Sequence, residues 1–463
     1  MTGEVNLNYG IFTLLPALTV IFVAIRTKRT NEALIGGCVL SYLVIAVGTQ
    51  SNPIPLLVDS FFSVMTDYDT MWLVVVCGLF GSLIAVLNAA HGTHAIANFV
   101  GKLCKTQKST LLVSWLLGII IFVDDYMNIL TICACTKKLS DERRIPREAL
   151  AYVVDSTGAP VCVLLPFSTW AIFFAGVFYE ESAIVNLGYG SAMNTYVHAI
   201  PFMFYAIIAV LIVPMFILGI VPKIGAMKSA YERVEKTGAV YSKESEIFNR
   251  EETQYVDPSQ THLIDFLGPI LTLIVIQLWS DDMFLALISS ILVAALLYVP
   301  RGKVKMNDFF DLLTRGFADL VPALMIIISA LWMKQASSDL NLPSYVIGIV
   351  KPFVSAKIFP MIAFIVVALL GFITGSNWGI PAVCAPVIIP LGAAVNADLL
   401  LVIAAIVCGG TFCSHACFYS DATVITSTTC GIDNMDHAST QLPYAIISFA
   451  VACVAFLVAG MVL

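Results

Sequence analysis

The stretch IIIFVDDYMNILTI, residues 119–132, sets two adjacent aspartates, Asp124 and Asp125, among apolar residues. An ionised carboxylate in hydrocarbon is costly, so such residues usually mark an ion path. Two buried neighbouring carboxylates oppose each other's ionisation, and a bound cation relieves that opposition. The pair therefore suits a site where a cation displaces a proton. Asn128, in the same stretch, adds an amide oxygen.

Three more interruptions break apolar runs. The first carries Asp155, Ser156, Thr157, Gly158 and Pro160, then Pro166, Ser168, Thr169 and Trp170. The second is ITGSNWGIP at 373–381. The third is GGTFCSHACFYSDATVITSTT at 409–429. Sodium is a hard cation, and hard cations take oxygen ligands from carboxylate, amide, hydroxyl and unwound carbonyl groups. The expected ion ligands are Asp124, Asp125, Asn128, Asp155, Ser376 and Asn377. The expected solute contacts are Thr157, Ser168, Trp170, Trp378, Ser414, His415, Ser420 and Asp421. Half-helix N-termini at the same breaks can hold an anionic group.

Other polar residues read more plainly. Cys413, His415 and Cys417 suggest a metal, but helical spacing puts 413 and 417 on one face and 415 on another. No fourth ligand is evident, so neither a transition metal nor a cofactor is expected. His91 and His94 read as surface groups at a helix end. His437 reads as part of a short cytoplasmic turn, and Asp319 as a structural acid near the start of its helix.

The elements that must hold these residues span a membrane. The 463-residue chain is 59% hydrophobic and 12% charged, about half the charge of a soluble domain. No basic stripe with interleaved aromatics points to nucleic acid. The twelve cysteines are scattered in apolar segments and read as small hydrophobes. Apolar runs of roughly 20 residues fall at 7–25, 33–50, 71–90, 109–136, 148–178, 198–220, 263–280, 283–299, 317–334, 359–396, 399–430 and 439–462. With both termini external, all Lys and Arg except Lys334, Lys351 and Lys357 fall on the cytoplasmic side, as the positive-inside rule requires. Both flanks of 109–136 are basic, so that segment is expected to be a re-entrant hairpin with Asp124 and Asp125 at its turn. Non-helical backbone at such depth must line a cavity or lie within protein.

The hydropathy order of residues 263–463 repeats that of residues 1–221, inverted, with 222–262 as a cytoplasmic linker. The fold class expected is an all-α polytopic membrane protein of two inverted repeats. The hairpins are 109–136 and 359–396, and the broken helices 148–178 and 399–430. The broken helices share a spacing of ten, from Gly158 to Ser168 and from Gly410 to Ser420. Inverted repeats with broken helices place a transport site near the midplane.

Taken together, VDDYMN, VVDSTGAPVCVLLPFSTW, GSNWGIP, YSDATVITSTT and DNMDHASTQLPYA resemble NhaC-type sodium/proton antiporters, in order and over nearly the whole chain. The resemblance implies sodium-coupled secondary transport in a prokaryotic cytoplasmic membrane, with Na+ and H+ as coupling ions. It also implies a homodimer and elevator-type alternating access. Proteins of this type include carriers of amino acids and small carboxylates. CSHACFYSDATV departs from the more acidic antiporter pattern, and its aromatic and His-bearing wall leaves room for an organic solute. A channel and an intramembrane enzyme are the competing classes. The first would repeat one pore element around an axis, and no catalytic motif supports the second.

Overall fold

The computed structural model describes residues 9–27, 30–90, 104–249, 262–280, 282–342, 354–418 and 420–463, together with Tyr345, Gly348, Ile349 and Pro352. His91 and His94 lie outside the described residues. Regular structure among the described residues is helical throughout, with no strand.

Four helices open the chain: α1 (Leu14–Thr27), α2 (Thr30–Thr49), α3 (Pro53–Met65) and α4 (Tyr68–Ala89). Then come α5 (Gln107–Ile120), α6 (Asp125–Glu142), α7 (Arg147–Asp155), α8 (Ala159–Leu164) and α9 (Thr169–Tyr179). Next are α10 (Ser182–Val185), α11 (Ala192–Ala199), α12 (Phe204–Leu218) and the polar α13 (Gly225–Thr237). The remainder forms α14 (Ile264–Ser280), α15 (Met283–Tyr298), α16 (Met306–Asp319), α17 (Val321–Asp339), α18 (Phe359–Thr374), α19 (Gly379–Ala394), α20 (Leu399–Ala416), α21 (Asp421–Cys430) and α22 (Asn434–Val462).

Burial orders these helices. The most apolar 18-residue stretch within Leu399–Cys430 is 89% buried, whereas that within Asn434–Val462 is 22% buried. Every residue of α7 is buried as well. The two segments that carry the most polar break residues thus form the centre. Apolar side chains face outward on peripheral helices, with Val275, Leu278, Trp279 and Leu296 exposed on α14 and α15, as lipid-facing surface requires.

Several expectations need correction. The run 198–220 is not one helix: it bends by 55° between Ala192–Phe202 and α12. Pro201 lies in the 3-10 turn before the bend, where it supplies no helical donor, and the backbone leaves helical geometry at Met203, with ψ at 61°. The broken helix expected at 148–178 is in three pieces, α7, α8 and α9, with a 42° bend between Arg147–Leu164 and α9. Asp319 ends α16 rather than starting a helix, because Pro322 sits at the first turn of α17. His437 does not lie in a turn. The Asp433 carboxylate caps α22 by accepting from the Met435 N–H at 2.9 Å, and His437 lies on that helix fully buried.

Among the described residues, four helices are long and apolar enough to cross a membrane unaided, or six when each bent pair counts as one. Shorter apolar helices, such as α14 and α15, reach about 25 Å at 1.5 Å per residue.

Candidate ion and solute site

Asp124 ends the gap between α5 and α6. Its carboxylate caps α6, accepting from the Met127 N–H at 3.1 Å, which satisfies one of the donors that every helix start leaves open. The Thr169 hydroxyl donates to the other oxygen at 3.0 Å, and the Thr169 N–H donates to the Val123 carbonyl at 2.9 Å. The start of α9 is thereby pinned to the start of α6. Asn128 closes the gap from the other side, its amide donating to the Gly118 and Ile121 carbonyls at 2.7 Å each. These are carbonyls of the last turn of α5, the ones a helix end leaves unmet. The Asn128 amide therefore stitches the turn, and its Oδ1 is buried without a direct partner.

Gly118 lets the next segment close on this turn. A Cβ there would stand 2.1 Å from the Thr157 hydroxyl oxygen. That hydroxyl donates to the Val153 and Val154 carbonyls, both at 3.0 Å. Thr157 thus bonds its own helix.

The second gap lies between α18 and α19. Ser376 Oγ accepts from the Gly379 N–H at 3.2 Å. Asn377 donates to the Asp421 carboxylate at 2.9 Å and to Ser414 Oγ at 3.3 Å. Gly410 permits this approach, since a Cβ there would lie 2.7 Å from the Asn377 carbonyl oxygen. The Tyr126 hydroxyl, from the first turn of α6, donates to the other Asp421 oxygen. Trp170 meets Trp378 with ring centroids 5.2 Å apart, and Phe173 meets Trp378 at 4.6 Å.

One constellation thus gathers Asp124, Asp125, Tyr126, Thr169, Trp170, Asn377, Trp378, Ser414 and Asp421. Asp125 is 1% exposed. One of its oxygens and the Trp170 indole nitrogen are buried without a direct hydrogen bond. None of the ion pairs among the described residues engages these three aspartates. Such a site can hold a cation by carboxylate and amide oxygens.

The two broken helices are built alike. Ser168 caps α9, accepting from Ala171 N–H at 3.0 Å and donating to the Cys162 carbonyl at 2.5 Å. Ser420 caps α21, accepting from Thr423 N–H at 3.3 Å and donating to the Ser414 carbonyl at 2.7 Å. In each, the serine bridges back six residues to the preceding half-helix.

Asp155 and His415 are not brought to this constellation. Asp155 Oδ2 meets His437 Nε2 at 3.0 Å and the Gln441 amide at 2.6 Å. His415 is held between the Ser156 hydroxyl at 2.8 Å and the Tyr205 hydroxyl at 2.7 Å. With both ring nitrogens engaged, His415 does not join Cys413 and Cys417, and no group of three metal-type ligands occurs among the described residues. Tyr126, Thr169, Tyr205, Thr423, His437 and Gln441 were not singled out from sequence. Thr169 and Thr423, each close to a serine at a break, carried a local signal; Tyr126, Tyr205 and His437 depend on partners more than two hundred residues away.

A cavity of 610 Å³ runs along α9 from Ile172 to its C-terminal end, and none of the constellation's residues lines it. It is lined by Tyr68 and Trp72 of α4, Ile172 and Tyr179 of α9, Asn186, and Gln277 of α14. Near it, Lys334 of α17 pairs with Glu180 at 3.4 Å and Glu181 at 3.7 Å. Burial lifts the Glu181 carboxyl above its usual range, against the pull of Lys334.

The comparisons agree with this architecture. An uncharacterised protein of Haemophilus influenzae is 24% identical, over 98% of this chain and 92% of its own length. The YdaH transporter of Alcanivorax borkumensis, described as having an unusual topology, superposes with a TM-score of 0.60 at 13% identity. The match covers 88% of each chain. MtrF of Neisseria gonorrhoeae, described among antimetabolite efflux pumps, gives 0.55 at 13% identity over 87% of this chain and 82% of its own. The model of the Na+/H+ antiporter family matches residues 181–461. That match spans more than half of the chain, which therefore belongs to the Na+/H+ antiporter family and is a multi-pass secondary transporter.

Proposed function

We propose that this protein exchanges sodium for protons across the cell membrane, with the constellation at the two gaps as the shared site. One observation carries the reading: the buried pair Asp124 and Asp125 and the solvent-exposed Asp421 all lack an ion-pair partner, and Asp421 is tied by Tyr126 and Asn377 to both gaps. The N-termini of α6, α9, α19 and α21 lie at these residues. Each contributes about +0.5 charge, about +2 in all. Ionised Asp124, Asp125 and Asp421 contribute −3. The site is then close to −1, a balance that one sodium ion or one proton completes. Asp124, Asp125, Asp421 and Asn377 are the primary ligand candidates, and Asn128 and Ser376 hold the turns.

The like construction of the two breaks supports an inverted repeat with hairpins at 109–136 and 359–396. The gaps and broken helices then move together against α2, α4 and their counterparts, as an elevator, within a homodimer.

A second reading is coupled movement of an amino acid or small carboxylate. The 610 Å³ cavity beside α9 and the Trp170–Trp378 contact favour it, since a bare ion needs neither. The test is purified protein in proteoliposomes under an imposed sodium gradient, with internal pH recorded. A pH change with sodium alone supports exchange. A change only after amino acids and short carboxylates are added supports the second reading.

A further inference from the structure

We infer a second sodium site, separate from the gap constellation and centred on Asp155; it rests on the reading that the chain carries sodium. Asp155 is the last residue of α7, so its carboxylate stands at the negative end of a helix. The end of α20 points to the same place. The Ser414 carbonyl, with the helix broken ahead of it, takes the hydroxyls of Ser420 at 2.7 Å and Thr423 at 3.2 Å. The His415 carbonyl takes the Gln441 amide. Two helix C-termini at about −0.5 each, one carboxylate and the α21 N-terminus at about +0.5 make about −1.5, with His437 paired to the carboxylate at 3.0 Å. Half-helix C-terminal ends and unwound carbonyls are the groups that hold coupling cations in broken-helix transporters. The gap constellation has the opposite polarity, with N-termini converging.

The ligand set is oxygen-rich and enclosed. Asp155, Thr423, Gln441, Ser414 and His415 are all 1% exposed or less. Thr423 Oγ1 lies 3.4 Å from Asp155 Oδ2, and Gln441 Nε2 lies 2.6 Å from it. His437, Gln441 and Thr423 all meet Oδ2; the other carboxylate oxygen takes none of these bonds. The Gln441 side-chain oxygen, Oε1, is buried without a hydrogen-bond partner. Its amide already touches both Asp155 and the His415 carbonyl, so turning it over presents that oxygen to the same point. Carboxylate, hydroxyl, amide and two carbonyl oxygens then surround one cation, a hard-ligand set fit for sodium.

The test is radiolabelled sodium binding to the purified full-length protein, with folding checked by gel filtration. The wild type is expected to bind two sodium ions per chain. Thr423→Val and Gln441→Leu should each weaken one site at least tenfold, while Thr423→Ser and Gln441→Glu, which keep an oxygen, retain it. Asp125→Asn should remove the other ion. Wild-type binding in both Thr423→Val and Gln441→Leu overturns the proposal. So does a single ion that Asp125→Asn abolishes, which leaves the gap site standing. A single ion lost in Thr423→Val but kept in Asp125→Asn supports this site and overturns the gap assignment. No sodium binding by the wild type overturns both.

Discussion

Asp124 and Asp125 are neighbours with different work. Asp124, a ligand candidate, also caps α6, its two oxygens accepting from the Met127 N–H and the Thr169 hydroxyl, whereas one oxygen of Asp125 is buried beside Trp170 without a well-formed hydrogen bond. The sequence marks the pair but not the division between them, because that depends on which carboxylate caps α6. Two predictions follow at this scale. Thr169→Val keeps the shape and removes one bond to a charged group, which costs about 1.5–3 kcal/mol when buried. It should lower the melting temperature and weaken sodium activation together, read by thermal unfolding and sodium titration of transport. Tyr126→Phe keeps the ring and frees one oxygen of Asp421. Sodium affinity should change about tenfold with little loss of stability; an unchanged affinity would remove Tyr126 from the site.

The helices explain why the breaks were legible and their partners were not. Gly, Pro, Ser and Asp at 155–170 and 409–429 mark where a helix cannot continue. Serine caps at Ser168 and Ser420 are the local consequence. The contacts that matter run between segments far apart in sequence: Tyr126 to Asp421, Asp155 to His437, Tyr205 to His415. No periodicity encodes these, and His437 was misplaced because the cap at Asp433 was not read as the start of a buried helix. α6 and α21 show the same point. Both begin at the site, and Cys133 and Cys430 meet further along at 3.1 Å between sulfurs. A disulfide needs about 2.05 Å, roughly 1 Å closer. Copper-phenanthroline oxidation should therefore join the two, detected as loss of two free thiols that Cys133→Ser abolishes. If α6 and α21 move as one body, the oxidised protein should still transport. Gly410→Ala offers a sterner test. Its Cβ would press on the Asn377 carbonyl at 2.7 Å, and such overpacking costs about 1–3 kcal/mol. Transport should fall more than stability does, since Asn377 is displaced from Asp421.

For the whole molecule, composition points to a polytopic membrane protein, the broken helices and the resemblance point to a transporter, and the family match agrees. Burial adds which parts form the centre: α7 and α20 are enclosed, α21 turns one face inward, and α14 and α15 expose apolar side chains. The cavity between α4 and α9 lies where an elevator would slide. Bridging Trp72→Cys to Ala175→Cys with a bifunctional maleimide should stop transport, in contrast to the Cys133–Cys430 disulfide. Continued transport through that bridge would argue against relative motion of α4 and α9.

The central claim is that the buried aspartates at the gaps bind the sodium that exchanges for protons. Its most direct test compares wild type with Asp125→Asn in proteoliposomes under an outward sodium gradient, reading internal pH. The account predicts rapid acidification of the lumen in wild type, as protons enter while sodium leaves, and at least a tenfold slower change in Asp125→Asn. Equal rates in the two proteins would contradict it.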